Sequence, residues 1–343
     1  MSHHRVLSTP QIAGPLHRLL FVGGAPEKRC GRINTEARWR KSPRSDKRET
    51  RAIGDHPPKT GARLFRRISS LLWIVLGGLS VFAGPATPVA PAHSPVWFRC
   101  DFEADDWYVA WGERRPDPHV TTVSADPARK FVPLRGKALR VRVDQGGHYG
   151  VSLAYRFRKQ TGGEPEEVYF RYYLRFADDW RPGRGGKLPG FGGTYGRAGW
   201  GGRPVHGDDG WSARGLFRGR PDGRTAIGYY CYHADMKGRY GSHWVWDRDG
   251  LGDLENNRWY CIEQYVRLNT PGKNDGILRG WVDGRSAFEK TDIRFRDTNR
   301  LKVETVWVNV YYGGLWAAEG DYHLYLDNVV ISKNYIGPLN EQK

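Results

Sequence analysis

From Val96 onward the chain is built of short runs in which apolar and polar residues alternate with a period of two. Runs at 96–103, 138–143, 150–158, 167–176, 212–218, 226–233, 258–268, 277–283, 302–312 and 322–332 predict strands, because successive strand residues face opposite sides of a sheet. Gly146-Gly147, Gly162-Gly163, Pro221-Asp222-Gly223, Pro271-Gly272 and Asp283-Gly284 punctuate them as turns. No run in this part sustains a helical period. Many short strands without helices predict an all-β fold, a sandwich of two antiparallel sheets.

The alternation also assigns faces. Val306, Val308 and Val310 make a core face, which turns Trp307, Asn309 and Tyr311 the other way. Ile262, Val266 and Leu268 leave Glu263 and Tyr265 outward, and Leu278 and Val282 leave Trp281 outward. In 167–176, Val168, Phe170, Leu174 and Phe176 point in while Tyr169, Arg171, Tyr173 and Arg175 point out. Outward rows of aromatic and cationic residues exceed what a solvated sheet needs. They suit an acidic oligosaccharide, since sugar rings stack on aromatic faces and arginine pairs with carboxylates through two hydrogen bonds. Arg171, Tyr265, Trp281, Trp307, Asn309 and Tyr311 are therefore the expected substrate-binding residues. The plainer alternative is cross-strand aromatic pairing that stabilises the sheet.

One stretch, Lys187–Tyr232, gathers candidate chemistry. It holds a lysine in the glycine-rich run K-L-P-G-F-G-G, then Ser212-x-Arg214, then Tyr230-x-Tyr232. The i, i+2 spacing puts Ser212 and Arg214 on one face, and Tyr230 and Tyr232 on one face. Two strands and a neighbouring loop or strand would thus present a hydroxyl, a guanidinium, two phenols and an ammonium together. Read singly, Lys187 is a solvated loop lysine, the tyrosines are packing, and Arg214 pairs with Glu263 or Asp235. Of the nearby histidines, His206 lies in a loop able to swing over such a cluster, whereas the strand parity of His233 predicts a second-layer position.

Charge changes the picture less than its total suggests. Residues 1–67 carry sixteen Lys and Arg against five Asp and Glu, which is eleven of the formal +17, leaving +6 for the rest. The basicity belongs mostly to a tail (1–63) too poor in apolar residues to order itself, and it does not argue for nucleic-acid binding. Arg63, Arg66 and Arg67 then precede the apolar run 68–82, with Val81 and Ala83 at a small-residue cleavage position. The 64–84 segment is expected to be a secretory signal, since the run is short for the roughly 20 residues of a membrane span. The localisation expected is secreted or periplasmic, with a membrane association only if 68–82 stays uncleaved as an anchor. The only methionines are Met1 and Met236, so a non-Met start nearer Ile68 would explain the long leader. Pro85, Pro88, Pro91 and Pro95 mark a linker, 85–95, and the globular domain is expected over 96–338. Cys100, Cys231 and Cys261 have no metal-ligand spacing and leave room for one disulfide. No C-x-x-C, H-E-x-x-H or phosphate loop occurs.

Motif order now adds a resemblance. The Lys187 run, W-S-A-R-G, the Tyr-x-Tyr strand, R-W-Y-C-I-E-Q-Y-V-R-L-N-T-P-G-K-N-D-G-I-L-R-G-W-V-D-G (258–284), D-I-R-F-R-D and L-Y-L-D-N-V-V-I-S resemble polysaccharide lyase family 14 over roughly 96–338. The resemblance implies a β-jelly-roll of the concanavalin A-like kind and an alginate lyase or glucuronan-cleaving activity. It places the family's catalytic Lys at Lys187, its Ser-x-Arg at Ser212 and Arg214, and its Tyr-x-Tyr at Tyr230 and Tyr232.

Such a lyase removes a C5 proton beside a carboxylate, so the carboxylate's charge must be offset as the carbanion forms. Lys187 and Arg214 are cations able to do this. Tyr230 and Tyr232 are expected to move the protons, their pKa brought down from about 10 by the neighbouring cations. Lys187 is either a carboxylate partner or an alternative base, and Ser212 an orienting hydrogen bond. This chemistry asks for no metal or other cofactor; the partner expected is an acidic polysaccharide. Two alternatives remain at this point: a non-catalytic carbohydrate-binding module, and a glycoside hydrolase, which would need two carboxylates roughly 5 to 10 Å apart. The E-x-D-x-x-E strand motif of laminarinase-like enzymes is absent, and Glu263 has no acidic strand-mate.

Overall fold

The computed structural model describes residues 95–340. The expected tail (1–63), signal segment (64–84) and linker (85–95, apart from Pro95) lie outside the described residues. The strands in chain order are β1 (Val96–Cys100), β2 (Val120–Val123), β3 (Ala138–Val143), β4 (Tyr149–Arg156), β5 (Glu167–Phe176), β6 (Gly186–Gly193), β7 (Trp211–Gly219), β8 (Thr225–Tyr232), β9 (Ser242–Val245), β10 (Asp253–Leu254), β11 (Tyr260–Arg267), β12 (Gly276–Val282), β13 (Arg285–Ile293), β14 (Thr305–Tyr312) and β15 (Tyr322–Ser332). One short α-helix spans Phe157–Thr161. Among the described residues no helix is long and apolar enough to cross a membrane.

The strands form two antiparallel sheets. The back sheet runs β13-β12-β11-β5-β15-β3-β2, with β1 added beside β15; the front sheet runs β10-β8-β7-β6-β14-β4, with β9 beside β8. The all-β sandwich predicted by the alternation is the fold observed. Its core lies between the sheets, where Phe170, Leu174, Ile262 and Leu278 of the back sheet meet Ala213, Phe217, Tyr229, Cys231, Val306 and Val308 of the front. Each such burial contributes about 1.5 to 3 kcal/mol for the larger side chains. The facing assigned from period two is observed in β5, β11, β12 and β14.

Of the loop or strand left open for Lys187, the strand is observed: the glycine-rich run around it is β6. Gly190 is required there because a Cβ would lie 2.4 Å from the Ala213 carbonyl oxygen and 2.6 Å from Arg214 Cα. Pro189 sits where the ladders to β7 and β14 are both irregular, so its missing N–H interrupts nothing that was otherwise regular. The cysteines Cys100, Cys231 and Cys261 are buried and free, so the disulfide left open by the sequence is not formed among them.

A buried acid in β15 gives a stability prediction. Asp327 is fully buried, accepts the Asn328 N–H at 2.6 Å, and leaves its other carboxylate oxygen without a partner. Burial, with smaller effects from Glu103 and Asp101, pushes its pKa up to about 7. A folded-state pKa above the unfolded one favours the protonated form, so its stabilisation is present below about pH 4 and is lost as pH rises through about 7. The loss is on the order of 4 kcal/mol. Asp327→Asn is expected to remove this contribution, raising the urea midpoint above wild type at about pH 8 but not at about pH 4. Equal wild-type and variant pH dependences would refute the assignment.

Candidate functional site

The outer face of the front sheet carries a cleft of about 690 Å³. Its floor crosses β8, β7, β6, β14 and β4, which supply Tyr230 and Tyr232, Arg214, Lys187, then Trp307, Asn309 and Tyr311, and finally Ser152 and Tyr149. Its walls stand at opposite strand ends. The Gly314–Trp316 loop follows the end of β14, where Tyr311 pairs with Lys187 at the start of β6. Trp200–Gly202 and Tyr240 lie beyond the other end, where Ser212 at the start of β7 pairs with Tyr232 at the end of β8.

Register brings the separated motifs together. Arg214 pairs with Tyr230 across β7 and β8, and Lys187 pairs with Leu216 across β6 and β7. The Lys187 ammonium lies 4.3 Å from the Tyr230 ring centroid and donates to the Gly313 carbonyl at 3.3 Å. The Arg214 guanidinium lies 4.9 Å from the Trp307 ring and donates to Asn309 Oδ1 at 3.1 Å, while Asn309 is held by donating to the Val151 carbonyl. Arg214 is 7% exposed, and its Nε has no partner. Neither cation meets a carboxylate among the described residues: Asp235 pairs with Arg294, and Glu263 accepts the Ile336 and Gly337 N–H groups instead. No Asp or Glu is among the residues lining the cleft.

The phenols are set by backbone. Tyr232 Oη accepts the Gly202 N–H at 3.0 Å, Tyr230 Oη accepts the Gly241 N–H at 3.2 Å, and the two oxygens are 3.4 Å apart. Ser212 does not reach the cleft. Its hydroxyl is fully buried and donates to the Gly199 carbonyl at 2.6 Å, which ties down the loop that presents Gly202.

Electrostatics reverse one expectation. Burial, then the Tyr232 hydroxyl beside it, pushes the Tyr230 pKa up instead of down; Arg214 acts in the expected direction but is outweighed. The group brought toward neutrality is Lys187, lowered to about 8 by burial and then by the charges of Arg214 and Arg218. Desolvation disfavours both ions, which means a protonated phenol and a readily deprotonated amine.

Arg171, Tyr265 and Trp281 are not brought to this cleft. Their outward facing is as expected, but β5, β11 and β12 belong to the back sheet, so they face the opposite side of the molecule. There Arg171 is buried, donating to the Gly337 and Asn328 carbonyls, and Trp281 and Tyr169 pack around Tyr335. Period two tells which side of its own sheet a residue takes, and not which sheet. His206 is exposed and bonded to Asp209 at 2.8 Å, away from the cleft lining, whereas His233 sits behind the floor, bonded to Ser242 Oγ.

The structure adds residues that the pattern did not single out: Tyr149, Trp200, Tyr240, His243, Leu315 and Trp316. His243 pairs with Tyr230 in register, with its ring 5.0 Å from that of Tyr230. Burial and the charges of Arg218 and Lys187 lower its pKa to about 4, so it is a neutral imidazole. A signal for Trp200 was present: a tryptophan among glycines has no apolar neighbours in sequence to pack with. Among the described residues no group of three His, Cys, Asp or Glu side chains is placed to hold a metal ion.

Comparison with known proteins then bears on the site. The family model of polysaccharide lyase 14 matches residues 137–329, which includes every floor strand. The chain belongs to polysaccharide lyase family 14. It is therefore a polysaccharide lyase, and an acidic polysaccharide is its class of substrate. Among solved structures, the family 14 alginate lyase from Aplysia kurodai superposes with a TM-score of 0.54 at 20% identity, covering 71% of this chain and 99% of that one. A double mutant of the alginate lyase Aly36B, solved with an alginate tetrasaccharide, gives a TM-score of 0.53 at 19% identity, covering 71% of this chain and 97% of that one. At those identities the structural likeness speaks for the fold. No curated protein matches the chain.

Proposed function

We propose that this family 14 lyase cleaves a 1,4-linked polyuronate of the alginate or glucuronan type by β-elimination on the floor of the front sheet. The observation that carries this reading is the pair of cations, buried Arg214 and half-buried Lys187, standing without carboxylate partners in a cleft that has no acidic lining. Uncompensated cations at such a position are costly to the fold. A substrate carboxylate is the missing counter-ion.

In the reaction the carboxylate docks on Arg214, whose second fork edge is free once Asn309 has taken Nη1. Lys187, in its neutral form, takes the C5 proton. The C5–H electron pair becomes the C4=C5 double bond as the C4–O4 bond breaks, and a proton from the Tyr230–Tyr232 pair passes to O4. Arg214 counters the charge that grows on the carboxylate in the transition state, the kind of donor whose loss costs roughly 3 to 4 kcal/mol. Tyr230, kept protonated by burial, serves as acid.

Stereochemistry narrows the substrate. Lys187, Tyr230 and Tyr232 all rise from the floor, so proton removal and proton delivery occur on one side of the sugar. In mannuronate and glucuronate H5 and O4 lie on the same side of the ring, whereas in guluronate they lie on opposite sides. The expected order is polymannuronate or glucuronan well ahead of polyguluronate. The test follows new ultraviolet absorbance from the unsaturated uronate as the purified full chain acts on each polymer. Equal or faster cleavage of polyguluronate would overturn the same-side geometry, and absence of the signal on every polyuronate would overturn the substrate class.

A further inference from the structure

The floor accounts for one carboxylate, but a polyuronate carries one on every sugar. Outside the floor, Arg203 lies 4.6 Å from the Trp200 ring, Arg239 lies 5.8 Å from Tyr240, and Arg184 lies 4.8 Å from Trp316. The three aromatics line the cleft, whereas the arginines are exposed at its rim. None of these arginines meets a carboxylate among the described residues; Arg239 donates only to the Gly202 carbonyl, at 3.3 Å. Arg203 and Arg239 belong to the wall beside Tyr232, and Arg184 precedes β6 on the wall beside Lys187.

We propose that Arg203 and Arg239 on one wall and Arg184 on the other bind the carboxylates of the sugars flanking the one being cleaved, with Trp200, Tyr240 and Trp316 as stacking surfaces for their rings. The inference rests on the polyuronate reading above and extends it to specificity for chain length. A guanidinium held against an aromatic face keeps its N–H edge free, so the fork remains available for a carboxylate while its position is restricted. Without such partners the flanking carboxylates would repel one another and lose water on entering the cleft with nothing in return. Exposed pairs of this kind are individually weak and are screened by salt, so they act on binding and on its ionic-strength dependence, not on the chemical step.

The experiment compares the full chain with the Arg203→Ala/Arg239→Ala double variant and with Arg184→Ala, on polymannuronate and on a short mannuronate oligosaccharide, at low and high salt. For the polymer, KM is expected to rise about tenfold in the double variant and about threefold in Arg184→Ala, with kcat within about twofold and a flatter salt dependence. The penalty should shrink on the short substrate, and Arg→Lys at the same positions should restore much of the polymer KM. Unchanged KM and salt dependence in folded variants would overturn the rim sites while leaving the elimination reading intact. A fall in kcat at unchanged KM would also overturn them, by making these residues supports for the loops. A wild-type chain that yields no unsaturated product from any polyuronate would instead bring down the parent reading.

Discussion

Arg214→Met is expected to lower kcat on a polyuronate about 10²- to 10³-fold while leaving the domain as stable as wild type or more so. The two halves come from one observation. A guanidinium that is 7% exposed, with an unpartnered Nε and no carboxylate, has left water without full compensation. Burial accordingly draws its pKa down. Methionine keeps part of the side-chain volume against Trp307 without the charge, so the free protein gains while the transition state loses its counter-ion. The checks are steady-state kinetics and a urea midpoint on the same preparation. Retained turnover would sink the role of Arg214, and a large drop in midpoint would show that the cation is structural.

Lys187→Ala is expected to lower kcat about 10³-fold, within the range for removal of a general base. The more telling variant is Lys187→Arg. If the ammonium only offsets charge, arginine should restore much of the rate; if it must be neutral to accept the C5 proton, arginine should not, because it stays protonated. Wild-type kcat/KM should rise with pH through a limb near 8, where burial and the charges of Arg214 and Arg218 place the free-enzyme pKa. Below that limb the lysine is protonated and cannot act as base. Both variants should lack the limb, and a limb that persists in Lys187→Arg would transfer the base role to a phenol.

What could be read without coordinates follows from what period two encodes. It gave which residues of β14 and of β8 share a face, Trp307, Asn309 and Tyr311 on one and Tyr230 and Tyr232 on the other, and the pairing of both strands into the front sheet then puts the two sets on one surface. It was silent on sheet membership, which depends on long-range pairing, and so it grouped Arg171, Tyr265 and Trp281 with residues on the other side of the sandwich. β6 was hidden for a different reason. Its glycines are there because neighbouring backbone approaches too closely for a side chain, and that requirement looks like a loop in sequence. The wall residues Trp200, Tyr240 and Trp316 lie in irregular segments, where no period exists to assign a direction. The direction of the Tyr230 shift depends on depth of burial, which outweighs the nearby charges that were visible in sequence.

The last described residues strap the back sheet: Glu263 accepts from Ile336 and Gly337, Arg171 donates to Gly337, and Tyr173 accepts from Leu339. This fastening lies on the far side of the sandwich from the floor that holds Lys187 and Arg214. Attachment of the enzyme to a solid support, or fusion to a second protein, through the carboxyl terminus should therefore leave the polymer free access, whereas trimming back to Tyr335 would strip the buried Glu263 carboxylate of both its backbone donors and leave the buried Arg171 guanidinium with the Asn328 carbonyl alone.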